Sequence, residues 1–252
     1  MRTLKRFARH LLPGFLMVGL ISPGAPCAAQ EVAAPTTPDR PEGRGPAVVP
    51  MPWLMVGAPL RQGVDLKLST FYVGEFNVPV VQVDLPIRAT KFLTITPSYL
   101  YNWIPASGLN QFTPRPLGAT DSYEESQFRI DGTVTIPFHE FEISARNMYV
   151  RRFRPGAAED INRYRGRIGI ARPVVVRGRT VKPFLSYESF YERKLGGWNR
   201  DRIWAGVSVP VTKRVTLQPS YLWETSLGNR DVNYLIFGVI VNTKGFLRRQ
   251  SE

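Results

Sequence analysis

The stretch INRYRGRIGIARPVVV, residues 161–176, alternates two kinds of side chain. Every second residue from Arg163 to Arg167 is an arginine, and Gly169 and Ala171 continue the same face. The residues on the other face are Tyr164, Gly166, Ile168 and Ile170. A period of two is that of a β-strand, whose successive side chains point to opposite faces. The stretch therefore predicts a strand with one cationic face and one apolar face.

The same alternation recurs along most of the chain after residue 64. Runs rich in Val, Ile, Tyr and Phe are separated by turn residues, and no helical pattern is convincing among them. We expect ten strands, or twelve if two more form around VVPMPWLMVGAP, residues 48–59. The ten predicted spans are 64–74, 78–87, 91–103, 123–137, 139–153, 161–176, 181–193, 198–211, 214–226 and 231–243.

The connections between these runs alternate in length. RATK (88–91), RGRT (177–180) and TKR (212–214) are short, whereas IPASGLNQFTPRPLGATDS (104–122) is long. Short turns on one rim and longer loops on the other are typical of outer-membrane barrels. We therefore predict an all-β fold, a closed antiparallel up-and-down transmembrane β-barrel. An even number of strands places both ends of the barrel on the short-turn rim.

Sorting each run by parity separates a polar face from an apolar face. The polar face carries charges of both signs, which can pair across a narrow interior. The apolar face carries Tyr and Trp residues toward the long-loop ends, as in an interfacial girdle, so we place this face in lipid. The predicted lumen charge network is Arg129, Asp131, Glu142, Arg146, Arg163, Arg165, Arg167, Glu188, Glu192, Arg200, Arg202 and Glu224. The predicted membrane girdle is Tyr99, Tyr101, Trp103, Tyr149, Tyr164, Tyr187, Tyr191, Tyr221 and Trp223.

The parity sorting leaves three misfits. Asn147 falls on the lipid face near the middle of its strand, whereas Trp204 and Phe237 fall on the polar face. The last predicted strand, 231–243, is apolar on both faces.

Residues 1–29 predict a secretory signal peptide. Four cationic residues among the first ten precede an apolar run from Leu11 to Ile21, and SPGAPCAAQ follows. Cleavage leaves a Pro-rich linker over 30–60 and a barrel domain over 61–246. It also removes Cys27, the only cysteine, so we expect no disulfide and no cysteine–metal site. These features predict a bacterial outer-membrane protein.

The residues give little support for catalysis. The predicted mature chain has one histidine, His139, in the turn segment PFHEFE, and it has no nucleophile-elbow motif. We expect no catalytic residue, no metal and no cofactor. The formal charge of +13 is spread along strands at a period of two, which disfavours nucleic acid as a partner. The predicted partners are outer-membrane lipid and, during biogenesis, the barrel-assembly machinery; the sequence identifies no other protein partner.

The function predicted from these features is that of a non-enzymatic outer-membrane barrel with a narrow or plugged lumen. It would serve as a transport accessory or as a small anion-preferring, porin-like pore. Two alternatives stay open. One is an outer-membrane enzyme that acts on lipid or peptide, and the other is a soluble periplasmic barrel with inverted faces that binds an apolar ligand.

Several short motifs resemble those of a bacterial envelope family, domain of unknown function 2490, whose members are predicted outer-membrane β-barrels. The resemblance covers about residues 60–243 and implies the barrel fold and its location, but no activity. The residues that carry it are Arg146, Asn147 and Arg151; Arg163, Arg165 and Arg167; Pro183, Glu188 and Phe190; Asn199, Arg200 and Gly206; and Tyr221.

Overall fold

The computed structural model describes residues 47–74, 77–104, 122–154, 161–193, 196–226 and 231–243. The predicted signal peptide, 1–29, lies outside them, as does most of the long connection after residue 104. Within the described segments no helix is long and apolar enough to cross a membrane. The strands are β1 (Ala47–Arg61), β2 (Val64–Val73), β3 (Val78–Asp84), β4 (Ile87–Arg88), β5 (Leu93–Ile104), β6 (Tyr123–Phe138), β7 (Phe141–Phe153), β8 (Ile161–Ala171), β9 (Val174–Val176), β10 (Arg179–Glu192), β11 (Gly197–Pro210), β12 (Val215–Ser226) and β13 (Val232–Asn242).

One sheet contains all of these strands, and it closes on itself. Its order is β1-β13-β12-β11-β10-β8-β7-β6-β5-β3-β2, and β2 pairs in turn with β1. The short strands β4 and β9 are additions to this ring, which leaves eleven long strands. The predicted all-β closed barrel is confirmed. The strand count differs from both ten and twelve because residues 48–59 form one strand, β1, and not two.

The odd strand number produces a parallel seam. Strands β1 and β13 run parallel, with Ala47 opposite Val232 and Gly57 opposite Asn242, whereas the other long strands pair antiparallel. Strand β1 therefore starts at the rim of the long connections, and β13 ends at the short-turn rim. The expectation that both ends of the barrel lie on the short-turn rim is wrong. The additional strand β1 precedes the expected strands, so the chain enters the barrel at the opposite rim. The barrel also starts at Ala47, inside the segment expected as linker, 30–60.

Side chains alternate between the lumen and the exterior along each strand. In β5, Tyr99 and Trp103 are 48% and 42% exposed, whereas Ser98 and Asn102 are 5% and 3% exposed. The exterior carries exposed Leu, Ile, Val, Phe, Tyr and Trp side chains from strands around the barrel. The described arginines that were predicted for the lumen face inward. The two faces therefore have the orientation expected for a barrel in lipid.

The seam strand β13 is apolar on both faces. Tyr234 and Ile236 face inward and are buried, whereas Phe237 faces outward and is 61% exposed. Assigning Phe237 to the polar face was therefore wrong, because in this strand polarity does not distinguish the faces. Gly238 makes room for the indole of Trp53 across the seam, since a Cβ at Gly238 would lie 2.8 Å from its Cε3 atom.

A disulfide tests the parallel seam. We expect Leu54→Cys with Val239→Cys to form a disulfide on mild oxidation, in a Cys27→Ser background, because these residues are register partners on neighbouring strands. Neighbouring strands lie about 4.8 Å apart, within disulfide reach. A faster-migrating band on a non-reducing denaturing gel reports the bond.

The control pairs Leu54→Cys with Leu217→Cys. Leu217 is the β12 partner of Val239, so it lies two strands from β1 and beyond the reach of a disulfide. Cross-linking of the control pair but not of the seam pair would contradict the parallel closure.

Candidate functional site

A cavity of about 470 Å³ occupies the interior of the barrel. It is lined by side chains from both polar and apolar stretches of the inner face. Among the described residues, its lining includes eight cationic side chains and three acidic ones. These charged residues are Lys67, Arg129, Arg146, Arg163, Arg165, Arg167, Arg200 and Arg202, with Asp84, Asp131 and Glu188.

Glu188 of β10 lies at the centre of the charge network. Its carboxylate accepts hydrogen bonds from Arg146 and, at 2.8 Å, from Nη2 of Arg165. Nη1 of Arg202 lies 3.8 Å from the same carboxylate. Glu188 is buried, so one carboxylate balances three guanidinium groups away from bulk water. The strand register brings these charges together. Glu188 on β10 lies directly opposite Arg202 on β11 and Arg167 on β8.

Phe190 packs within this group of arginines. The ring is 1% exposed, and the Cζ atoms of Arg165 and Arg202 lie 4.5 Å and 4.7 Å from its centroid. Arg163 and Arg200 approach the same ring at 5.6 Å and 5.7 Å. A ring face attracts cations, and the attraction strengthens when water is excluded. Phe190 therefore supplements the carboxylates in compensating the buried positive charge.

Two further carboxylates extend the network toward the rim of the long connections. Glu224 accepts a hydrogen bond from Nε of Arg202 and lies 3.4 Å from Nη1 of Arg200. Glu192 accepts hydrogen bonds from Arg163 at 2.6 Å and from Nδ2 of Asn199 at 3.4 Å. Both carboxylates are buried, so their arginine partners compensate a charge that water does not reach.

The sequence reasoning missed a buried triad formed by Glu125 on β6, Arg152 on β7 and Arg154 directly after β7. Glu125 accepts hydrogen bonds from Nη2 of Arg152 at 2.7 Å and from Nε of Arg154 at 2.6 Å. Gln127 donates to the same carboxylate at 2.5 Å. A parity signal was present, since Glu125 shares its face with Gln127 and Arg152 shares its face with Arg146.

Arg129 and Arg167 line the cavity, and among the described residues neither guanidinium lies within ion-pair distance of a carboxylate. Arg129 donates to the amide oxygen of Gln127 at 2.6 Å and to that of Gln82 at 3.1 Å. The Cζ atom of Arg167 lies 6.0 Å from the ring of Trp204. Arg167 is also the direct cross-strand partner of Arg146, which places two like charges side by side. The interior thus carries more guanidinium groups than the carboxylates around the cavity compensate.

Two predicted network members, Asp131 and Glu142, form no ion pair with a described arginine that lines the cavity. Asp131 is buried and accepts a hydrogen bond from the Thr133 hydroxyl at 3.1 Å. Glu142 lies apart from the network and pairs with Lys182 at 2.5 Å, with both side chains more than a third exposed. The grouping of Glu142 with the lumen arginines is therefore wrong, because its position near the β6–β7 turn places it at the short-turn rim. Trp204, the other polar-face misfit, does line the cavity.

All nine predicted girdle residues lie on the outward face. Tyr149, Tyr164, Tyr191 and Trp198 are consecutive cross-strand partners, and they form a row around one side of the barrel. Trp198 is 54% exposed and was missed, because β11 contains a bulge. Asn199 and Arg200 both face inward there, so the simple alternation fails by one residue.

Outward tyrosine hydroxyls are hydrogen-bonded to polar side chains on neighbouring strands. The Tyr149 hydroxyl donates to Asn162 at 2.8 Å, and the Tyr164 hydroxyl donates to Asn147. Tyr221 donates in the same way to Asn233. Asn147, the misfit on the apolar face, therefore serves as the acceptor for a tyrosine hydroxyl. Tyrosine at a membrane interface keeps its ring in the apolar phase and satisfies its hydroxyl with a polar partner.

His139 occupies the two-residue turn between β6 and β7. Its φ of 53° is in the left-handed region, and its ring packs edge-on against Phe138 at 4.6 Å. The side chain is exposed and lies outside the cavity lining described above. Within the described part of the chain, no group of three or more His, Cys, Asp or Glu residues is arranged to hold a metal ion.

Residues 62–233 match the family model described as "Protein of unknown function (DUF2490)". The chain belongs to the DUF2490 family. The match begins after β1 and ends at the start of β13, so the parallel seam lies almost entirely outside it. Several motif residues of the DUF2490 resemblance meet around Phe190, namely Arg163, Arg165, Glu188 and Arg200.

Two solved structures are similar to this DUF2490 chain. LpxR from Salmonella typhimurium has a TM-score of 0.46 and 11% sequence identity, over 72% of this chain and 84% of that chain. OmpT of Vibrio cholerae, an outer membrane protein, has a TM-score of 0.37 and 10% identity, over 66% of this chain and 52% of that chain. No curated protein is significantly similar to this chain in sequence.

Removal of the Glu188 charge tests the role of the shared carboxylate. We expect Glu188→Gln to lower the free energy of unfolding by about 3–5 kcal/mol, because it leaves buried arginines without their counter-charge. Urea denaturation in detergent micelles measures the change. The matched control is Glu142→Gln at the exposed Lys182 pair, where we expect about 1 kcal/mol or less. Equal effects of the two substitutions would show that Glu188 does not hold the network together.

Proposed function

We propose that the protein is a non-enzymatic barrel of the bacterial outer membrane whose narrow interior selects anions. In this role it is a small anion-preferring pore or the anion-binding part of a transport system. The observation that carries the proposal is the excess of cationic over acidic side chains around the cavity. Desolvated arginines that no ion pair compensates are stabilised when an anion joins them.

The position of the charges supports anion selection over simple structural pairing. Arg129 and Arg167 both line the cavity, whereas the buried carboxylates of Glu188, Glu192 and Glu224 form ion pairs with other arginines. Guanidinium groups recognise oxyanions through two parallel N–H donors. Rings of Arg or Lys are the usual lining of anion-selective pores.

The exterior supports residence in a membrane. Large apolar side chains are exposed on the outer face of strands around the barrel, among them Leu68 at 49%, Phe128 at 48% and Ile168 at 63%. Exposed apolar surface of this extent marks contact with lipid or with another protein. The outward tyrosine row is consistent with lipid, because amphipathic rings favour the headgroup boundary.

The alternative of a soluble barrel with an apolar interior requires the opposite orientation of the faces. The buried position of Arg163, Arg200 and Glu188 contradicts that orientation. The enzyme alternative lacks a constellation to support it among the described residues, since His139 lies in the β6–β7 turn. The proposal therefore assigns the arginines to binding and selection.

Membrane fractionation tests the location. We expect the expressed protein in the outer-membrane fraction and a mobility shift between unheated and boiled samples on a gel, because the closed barrel resists mild detergent. Recovery in the soluble periplasmic fraction would contradict the proposed location. A periplasmic maltose-binding protein and a known porin, followed in the same fractions, serve as markers.

Conductance in a planar bilayer tests the selectivity. We expect small currents whose reversal potential under a salt gradient shows a preference for chloride over potassium, because the cavity lining is cationic. The double variant Arg129→Gln/Arg167→Gln should reduce that preference.

The matched control for the conductance test is Arg172→Gln. Arg172 pairs with Glu140, and both side chains are about half exposed at the short-turn rim. This variant should keep the selectivity of the unsubstituted protein. A cation preference, equal permeability or the absence of any current would overturn the proposed pore.

A further inference from the structure

The inner wall of the barrel is divided into two arcs. The five strands β6, β7, β8, β10 and β11 are contiguous in the sheet and carry all of the arginines that line the cavity. We call these strands the cationic arc. The five strands β13, β1, β2, β3 and β5 are also contiguous, because the seam joins β13 to β1. We call these strands the apolar arc, and β12 lies between the two.

The apolar arc lines the cavity with large hydrophobic side chains. Met51 and Trp53 from β1, Phe71 from β2 and Leu100 from β5 reach the cavity, as does Ile236 from β13. They continue into a core of fully buried aliphatic residues at the long-connection end, including Val49, Val73 and Ile104. The charged exceptions on this arc are Lys67 and Asp84, which are register partners closer to the short-turn rim.

A wall of this kind is poorly suited to inorganic anions alone. A hydrated anion gains nothing from Trp53, Phe71 or Leu100, and water beside these groups is unfavourable. An occupant with a hydrocarbon part would displace that water, while an anionic part would complete the arginine cluster. The cavity of about 470 Å³ lies within the size range of small-molecule sites, roughly 300–1,000 Å³.

We propose that the lumen binds an amphiphile with one anionic oxyacid head and one hydrocarbon chain, the class to which fatty acids and alkyl phosphates belong. The head lies beside Arg146 and Arg165, flanked by Arg129 on β6 and Arg167 on β8. The chain lies along Trp53, Phe71 and Leu100 on the apolar arc. The inference deepens the proposed function by naming the class of anion, and it rests on the same cavity. It does not require that inorganic ions cross the barrel.

The donors on the cationic arc fit such a head group. Glu188 is already shared by Arg146, Arg165 and Arg202, so it has little capacity for the remaining cations. The Nε–H groups of Arg146 and Arg165 are buried without a hydrogen-bond partner among the described residues, so both can donate to a head group. A carboxylate or phosphate would supply the missing negative charge.

Tryptophan fluorescence provides the test, because the five tryptophans separate by face. Trp53 and Trp204 line the cavity, whereas Trp103 and Trp198 are exposed on the exterior and Trp223 shares their outward face. In a variant with Trp103, Trp198 and Trp223 replaced by Phe, the tryptophan fluorescence therefore comes only from Trp53 and Trp204 in the lumen. It is reconstituted into lipid nanodiscs and titrated with dodecanoate that carries bromine at the chain end, since bromine quenches indole on contact.

We expect saturable quenching that unbrominated dodecanoate reverses and acetate does not, because both head and chain are required. A brominated dodecyl phosphate tests the other head group, and saturation by either probe supports the inference and identifies the preferred head. A brominated dodecyl trimethylammonium should give only the linear quenching expected from partitioning into lipid. Saturation by the cationic probe with equal affinity, or reversal by acetate alone, would refute the amphiphile site.

The double variant Arg129→Gln/Arg167→Gln should bind the brominated dodecanoate roughly tenfold or more weakly, because charge-assisted hydrogen bonds to the head are lost. Arg172→Gln at the rim is the matched control and should bind as the parent does. Unchanged affinity in the double variant would refute the placement of the head.

The competition series is also run on the unsubstituted protein, so the result does not depend on the folding of any variant. There the outward tryptophans contribute quenching that dodecanoate does not reverse. Absence of saturable quenching in this protein overturns the amphiphile site. The proposed pore fails separately, since its test measures chloride current and not quenching.

Discussion

Closure of the sheet is the constraint on which the rest of the structure depends. Each long strand pairs on both sides, and the last free edges meet in the parallel pairing of β1 with β13. A closed sheet has only an inside and an outside, so a period of two sends alternate residues into the lumen. The arginines of INRYRGRIGI face inward for this reason. Their neighbours on the same strand, Ile168 and Ile170, are exposed on the exterior.

Burial of so many guanidinium groups creates an energetic problem that the network only partly solves. Desolvation of an arginine is costly unless a carboxylate and further hydrogen-bond partners compensate it. Glu125, Glu192 and Glu224 each hold arginines at the long-connection side of the lumen. Nearer the middle, Glu188 and the ring of Phe190 compensate several arginines at once. The compensation is therefore densest toward the rim of the long connections and thinnest around Arg129 and Arg167.

Much of this arrangement could be predicted from the sequence, because period-two alternation is a local signal. The barrel class and the inward position of Arg163, Arg165 and Arg167 follow from parity alone. The exceptions occur where a bulge shifts the alternation by one residue, or where a strand is apolar on both faces and alternation does not identify the lumen side. The bulge at Asn199 turns Trp198 outward, and no sequence signal marks it. Strand β1 lies in a Pro-containing stretch whose pairing depends on β13 far along the chain.

The segregation of the lumen into two arcs explains why the arginines lack enough carboxylates and why the opposite wall is apolar. The carboxylates that compensate the arginines come mainly from the cationic arc itself, from β6 and β10, with Glu224 at its edge on β12. The apolar arc contributes one carboxylate, Asp84 near the short-turn rim, together with Lys67, a few neutral polar side chains and most of the large hydrophobic side chains of the cavity. Arginines that face this arc find few acidic partners there, so their excess charge is set by the fold. The strands at the seam are the ones that are apolar on the inner face, and the closure that completes the barrel therefore also creates the amphipathic interior.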